Sequence, residues 1–169
     1  QIQNNGVFNI AGATGFVDGG GGSNTFYFTN EASATLNKTI GNTTLDTRAF
    51  FENSGIVNIQ SGTLTINSSF STYAGSFNIS AGAELTGTAN TNFTGNTFTN
   101  NGKVSTNELA FTGSAAQTLI GNGDIQTLRM NNASGLTLTG SPDVYFFLHF
   151  VNGKINTGAN ALRFTAAGN

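Results

Sequence analysis

The chain contains no cysteine and no tryptophan, a single proline, and few charged residues, since only 8% of its 169 residues are Asp, Glu, Lys or Arg. The absence of cysteine excludes disulfides, cysteine-ligated zinc and thiol nucleophiles. The charged fraction is about a third of that in ordinary globular proteins. With a net charge of −2, we expect no nucleic-acid partner and no electrostatic attraction to an anionic membrane.

Long apolar runs are also missing. No stretch approaches the roughly 18 consecutive apolar residues of a transmembrane helix, so we expect no membrane span in this segment. Apolar residues at helical spacing never extend beyond one turn. What remains is rich in Gly, Asn, Thr and Ser, with 15 Phe to fill a core. This composition favours short strands and turns over disorder.

The most informative feature that is present is a recurring phrase, in which a small residue or Asn precedes Gly and a short alternating strand. Its members are Asn5-Gly6-Val7-Phe8, Ser54-Gly55-Ile56-Val57, Ala74-Gly75-Ser76-Phe77, Asn101-Gly102-Lys103-Val104, Ser134-Gly135-Leu136-Thr137 and Asn152-Gly153-Lys154-Ile155. One such unit cannot bury its apolar face alone, so the repetition predicts that the units stack on one another.

The repeat length is close to 20 residues. Gly55 and Gly75 lie 20 residues apart, and Gly62 and Gly82 have the same separation. The next member of the phrase, Gly102, follows Gly75 by 27 residues, which we interpret as a stretched coil.

The sequence therefore predicts an all-β fold: a right-handed single-stranded parallel β-helix, or β-solenoid, of about 7–8 coils. An antiparallel β-sandwich is the alternative, although the repeat exceeds the 8 to 12 residue strand spacing typical of sandwiches. We assign residues 1–169 to one solenoid segment of a longer chain, with an irregular coil or loop over 12–50. That region contains Asp18 and four consecutive glycines, which we interpret as a flexible turn.

Period-two alternation identifies the inward-facing residues of the predicted strands. We expect them to stack as apolar ladders from coil to coil. The predicted core residues are Ile59, Ile66, Ile79, Leu85, Leu109, Phe111, Leu128, Leu136 and Leu138.

Two stretches carry a resemblance. The stretch FENSGIVNIQSGTLTINSSFSTYAGSFNISAGAEL resembles the Gly-rich repeats of large secreted bacterial β-helix proteins of the adhesin-like and haemagglutinin-like group. From Phe111 onward, FTGSAAQTLIGNGDIQTLRMNNASGLTLTG and VNGKINTGANALRF look like repeats of giant surface proteins of Bacteroidetes-type bacteria. The resemblance implies an extracellular or cell-surface location and a structural or adhesive role, through self-association, neighbouring coils of the same parent protein, or surface glycans.

The carboxylates give no evidence of catalysis. A carbohydrate-active β-helix enzyme or tailspike-like glycan-binding module is the alternative function, and such enzymes use clustered carboxylates. Here the acidic residues are scattered singly, and Glu84 and Glu108 meet only if they stack on one face. We therefore predict no catalytic residues, no cofactor site, no metal site and no enzymatic activity.

An aromatic strand over 144–150 departs from the plain alternation of the other repeats. It contains the only histidine, His149, which alternates with Leu148 and Phe150. We predict a lateral interface formed by Tyr145, Phe147 and His149.

An ice-binding solenoid is a minor alternative, because several strands contain Thr-x-Thr. An ice-binding face requires a regular Thr ladder, yet Thr63/Thr65, Thr97/Thr99 and Thr137/Thr139 do not recur at constant sequence spacing.

Overall fold

The computed structural model describes residues 1–12, 15, 26–45, 49–68 and 72–165. All of its regular structure within these ranges is β-strand. The strands are β1 Ile2–Asn4, β2 Val7–Ala11, β3 Phe26–Asn30, β4 Thr35–Ile40, β5 Asn42–Leu45, β6 Ala49–Asn53, β7 Ile56–Ile59, β8 Thr63–Ile66, β9 Thr72–Tyr73, β10 Ser76–Ile79, β11 Glu84–Phe93, β12 Thr97–Asn100, β13 Lys103–Phe111, β14 Gln117–Ile120, β15 Asp124–Thr139, β16 Asp143–Asn156 and β17 Arg163–Phe164. The described ranges contain no helix with the length and apolarity needed to cross a membrane.

The strands form three parallel ladders, which we call faces 1, 2 and 3. Face 1 runs through β1, β3, β6, β9, the second halves of β11 and β13, and the middle of β15 and β16. Face 2 runs through β2, β4, β7, β10, β12, β14 and the ends of β15 and β16. Face 3 runs through β5, β8, the starts of β11, β13, β15 and β16, and then β17.

The chain therefore winds as a β-solenoid, as predicted, with about six turns instead of seven or eight. The antiparallel sandwich is wrong, since every described strand pair is parallel. The right-handed winding stays a prediction.

The interior contains the residues that alternation assigned to it. All nine predicted core residues are buried, from Ile59 and Leu85 at 0% exposure to Ile66 at 3%. Strands with the pattern of Ser76–Ile79 bury every second side chain. A register error of one residue would have reversed this pattern, so the inward set is confirmed.

Identical side chains stack along the interior. The amide of Asn30 accepts a hydrogen bond from Asn4 at 2.8 Å and donates one to Asn53 at 2.7 Å. Beside this amide ladder, the rings of Phe28, Phe51 and Tyr73 follow one another at centroid distances of 5.7 and 5.9 Å. The polar amides can be buried because each amide forms hydrogen bonds with the amide of the neighbouring coil.

Glycines lie where successive corners touch. A Cβ atom on Gly75 would lie 2.0 Å from the carbonyl oxygen of Gly55, and one on Gly95 would lie 2.3 Å from that of Gly75. The equivalence of Gly55 and Gly75 is thus confirmed, and Gly95 continues their row. Gly102 was wrongly placed in that row, since it precedes the face 3 part of β13. The 27-residue spacing from Gly75 to Gly102 therefore joins corners of different faces and does not mark a stretched coil.

The expected irregular region over 12–50 is too broad. Residues 26–45 contain three regular strands that pair with the following turn, as in Phe28 with Phe51 and Thr43 with Leu64. Asp18 and the four glycines after it lie outside the described residues.

Candidate functional site

The last turn differs from those before it because its inward positions are open. Phe150 pairs with Met130, and Phe164 pairs with Val144. Met130 and Val144 are 0% and 1% exposed, whereas Phe150 and Phe164 are 54% and 63% exposed. Among the described residues, no further coil pairs with the last turn, and its inward aromatic side chains are exposed.

An extra residue widens the corner between faces 3 and 1 in this turn. Val144 pairs with Ile125 and Phe147 with Thr127, so two residues, Tyr145 and Phe146, stand opposite Gln126 alone. Such a bulge re-aims side chains. Phe146 protrudes with 62% exposure and Phe147 with 51%.

The corner divides the predicted interface. Tyr145 turns to face 3, where the Lys103 ammonium lies 5.8 Å from its ring centroid. Burial raises the pKa of the Tyr145 phenol, and the carboxylates of Glu84 and Asp124 raise it further. Tyr145 is therefore separate from the other two residues of the predicted set.

Phe147 and His149 do lie together on face 1. Their rings stack at a centroid distance of 5.7 Å and an interplanar angle of 24°. Phe146 meets Phe147 edge to face, at 4.3 Å and 67°. The three rings form a partly exposed aromatic corner.

A carboxylate lies at the base of this corner. Glu108 is only 5% exposed, and its Oε1 lies 2.5 Å from Nδ1 of His149. Its Oε2 accepts a hydrogen bond at 3.4 Å from Nη1 of Arg129. The three residues come from three successive turns, in β13, β15 and β16.

These residues line a cleft of about 430 Å³. The remaining walls are Asn90, Asn107, Gln126, Thr127, Phe146 and Phe147. The cleft thus combines one carboxylate, several amides and two exposed aromatic rings, and its lining contains no second carboxylate within the described residues.

The other carboxylate considered from the sequence is elsewhere. Glu84 lies on face 3, where Lys103 approaches its Oε1 to 3.6 Å and the Ser105 hydroxyl donates to the same oxygen. Glu108 lies on face 1. The structure therefore does not bring Glu84 and Glu108 together.

Face 2 carries a regular polar surface. Thr97, Thr118 and Thr137 form one row in register. In the earlier turns of this face, the amides of four residues form a ladder at 2.8 to 2.9 Å: Asn9, Asn37, Asn58 and Asn78. Thr63 and Thr65 lie on face 3, whereas the pairs Thr97/Thr99 and Thr137/Thr139 lie on face 2. The three Thr-x-Thr pairs therefore do not form one ladder.

Sequence reasoning missed the Glu108–Arg129–His149 cluster, although a signal was present. Arg129 follows Glu108 by 21 residues and His149 follows Glu108 by 41 residues, close to one and two repeats. Charged residues separated by the repeat length are candidates for contact between coils. Within the described residues, no three His, Cys, Asp or Glu side chains converge as metal ligands.

No protein-family model, no curated protein and no solved structure matches this chain.

Proposed function

We propose that the chain is a structural and adhesive β-solenoid segment of a secreted bacterial cell-surface or extracellular filament protein. It acts by stacking its last turn on further coils of the same kind, either of its parent protein or of a second copy. The exposure of Phe150 and Phe164 at inward positions is the observation that carries this proposal.

The energetics favour covering the last turn. Fully burying one large apolar side chain contributes about 1.5–3 kcal/mol, and Leu148, Ile155 and Leu162 are also only partly buried here. A following coil would in addition pair the free backbone groups of the last strands.

The adhesive part of the proposal has separate support. The outward positions of face 2 are mostly Asn and Thr, and the whole chain has few charges. Such surfaces bind through hydrogen bonds and remain insensitive to salt. Together with the stated resemblance to secreted bacterial repeats, this supports a role at the cell surface.

Sedimentation velocity over a concentration series tests the stacking. We expect reversible association of the chain, abolished in the Phe150→Lys/Phe164→Lys double variant. Ile56→Lys is the matched control, because Ile56 is an exposed apolar residue of face 2 with 42% exposure. A chain that stays monomeric at all concentrations, or equal effects of the control and the double variant, would contradict the proposal.

A second candidate function is a carbohydrate-active enzyme, favoured by the contact of Glu108 with His149 at a cleft. Glycoside hydrolases of both stereochemical classes use two carboxylates, and the described lining of this cleft supplies one. We predict no turnover of polysaccharides. A reducing-end assay on a polysaccharide panel tests this, and turnover that is lost in Glu108→Gln would overturn it.

The ice-binding alternative gains one observation, the aligned threonines of face 2. It predicts thermal hysteresis that disappears in Thr118→Leu. We expect no hysteresis, because the Asn row bonds to itself and Ile120 separates Thr99 from Thr139 in the second column of face 2.

A further inference from the structure

We propose that the cleft on face 1 is a carbohydrate-binding site that takes a neutral hexopyranose unit of a polysaccharide or glycan. The inference rests on the proposed adhesive function and names the ligand class that this function would use. It rests on three features of the cleft: a buried carboxylate, an exposed aromatic corner and a set of side-chain amides.

The carboxylate is held in place before any ligand arrives. Glu108 occupies a position on the outer side of face 1, yet only 7% of its side chain is exposed. Arg129 and His149 fix one oxygen each. An ionised carboxylate has about four acceptor sites, so two contacts leave acceptor capacity on Glu108, which lines the cleft. Desolvating a carboxylate is costly. A hydrogen bond from a ligand hydroxyl to the preorganised carboxylate would offset part of that cost.

The aromatic corner provides an apolar surface next to that acceptor. Phe146 and Phe147 are 62% and 51% exposed, and their near-perpendicular rings form two adjoining walls. Exposed aromatic side chains grouped around polar groups are typical of binding sites. A pyranose ring suits such a site, because its axial C–H groups form an apolar face that packs on an aromatic ring.

The amides match the rest of a sugar. Asn90, Asn107 and Gln126 line the cleft, and the amide of Asn107 donates to that of Asn90 at 2.7 Å. Each amide has both a donor and an acceptor end. Sugar hydroxyls also donate and accept, so vicinal hydroxyls can bond to one amide at two points.

The charge of the cleft selects a neutral ligand. An acidic sugar would place its carboxylate near Glu108, and the nearest cation, Arg129, is already partnered by Glu108. A purely apolar ligand would displace water from the cleft and leave the remaining donors and acceptors of the amides unpaired, which costs about 1–3 kcal/mol per group. The volume of about 430 Å³ lies within the usual range of small-ligand sites, about 300–1,000 Å³.

The test uses the full chain in affinity electrophoresis through gels that contain dextran, mannan, galactan or, as acidic probes, alginate and polygalacturonate. We expect retardation by at least one neutral polymer and by neither acidic one. Phe147→Ala should weaken the retardation about tenfold, and Phe146→Ala should also weaken it. Both residues are exposed, so these variants should fold, which thermal melting monitored by circular dichroism checks.

Ile56→Ala is the control, because it removes exposed apolar area outside the cleft. Glu108→Gln keeps the side-chain shape and should also reduce retardation, by tenfold or more. No retardation by any neutral polymer, retardation by acidic polymers alone, or unchanged retardation in both Phe variants would overturn the inference. Failure here leaves the association test unaffected, because stacking involves Phe150 and Phe164 on the open end of the last turn.

Discussion

The inner turns and the last turn follow the same register but differ in the exposure of their inward apolar side chains. From β6 to the end of β15, the inward positions are closed on both sides by neighbouring coils. Phe51, Phe93, Phe98 and Phe111 are all 0% exposed there. In β16 and β17 the equivalent positions are open, and bulged residues such as Phe146 and Val151 add further exposed apolar area.

This difference separates the closed apolar core from the bulged outer side chains of the last turn, where the candidate site lies. Inside, similar side chains stack, and the amides of each coil bond to those of the next. In the last turn, corner insertions re-aim side chains without disturbing the ladder. The solenoid thus supplies a rigid scaffold, and its bulges position the side chains of the candidate site.

The largest expected loss of stability comes from placing a charge in the apolar interior of the solenoid. Ile79→Asp should destabilise the chain by about 3–5 kcal/mol, because an unpaired carboxylate would be buried. Ile56→Asp, on the outer side of face 2, should change stability by less than about 0.5 kcal/mol. Urea unfolding followed by circular dichroism measures both, and similar effects at the two sites would mean that the inward register is wrong.

A truncation series compares the two regions directly. Phe111→Ala should cost about 3–5 kcal/mol because it opens a cavity between closed coils. Phe164→Ala should cost less than about 1 kcal/mol, because that ring is 63% exposed and leaves no cavity. Dilute samples, in which the chain is monomeric, are needed for this measurement. Equal losses would indicate that the last turn is already covered.

A smaller effect is expected at the corners. Gly62 has φ of +69°, and a Cβ atom there would lie 1.9 Å from the carbonyl oxygen of Gly41. Gly62→Ala should therefore cost about 1–3 kcal/mol in thermal unfolding. The control is Gly6→Ala in the first turn, where no atom lies within 4 Å of the added Cβ; a neutral Gly62→Ala would refute the tight corner.

The smallest effect concerns Lys38, which lies in the inward row between Ile10 and Ile59. Its ammonium donates to the carbonyls of Ile40 and Gly41, and burial lowers its pKa below the usual 10.5. Between the lowered pKa and 10.5, the unfolded chain holds a proton that the folded chain has lost, so stability rises with pH in that window.

Comparing the wild type with Lys38→Met isolates this contribution. Both proteins share the titration of Tyr145, whose raised pKa acts in the opposite direction, so the difference between them reports Lys38 alone. We expect the stability advantage of Lys38→Met to shrink as the pH rises towards 10. A difference that does not depend on pH would show that Lys38 titrates normally.

The stacked strands and their inward residues were predicted well from the sequence because both are periodic. The 20-residue offset of Gly55 and Gly75 and the alternation around Ile66 and Ile79 follow from backbone geometry, which repeats. Gly102 was assigned to the wrong face, because corners before different faces share the same Gly-containing phrase. Only the strand pairing after each corner distinguishes them.

The candidate site was predicted only in part, for a physical reason. His149 and Phe147 were identified as surface residues, but their partners Glu108 and Arg129 come from earlier turns. The bulge at Tyr145 and Phe146 determines which side chains lie on face 3 and which lie on face 1. A bulge has no periodic signature, so alternation alone cannot place it.

Small-angle X-ray scattering over a concentration series tests the central claim, the open last turn as a stacking surface, most directly. End-to-end stacking predicts that the maximum dimension increases with concentration while the cross-sectional radius of gyration stays constant. The Phe150→Lys/Phe164→Lys variant should remain at the dimensions of one chain. An increase in cross-section, which means side-by-side association, or a maximum dimension that does not change with concentration would contradict the account.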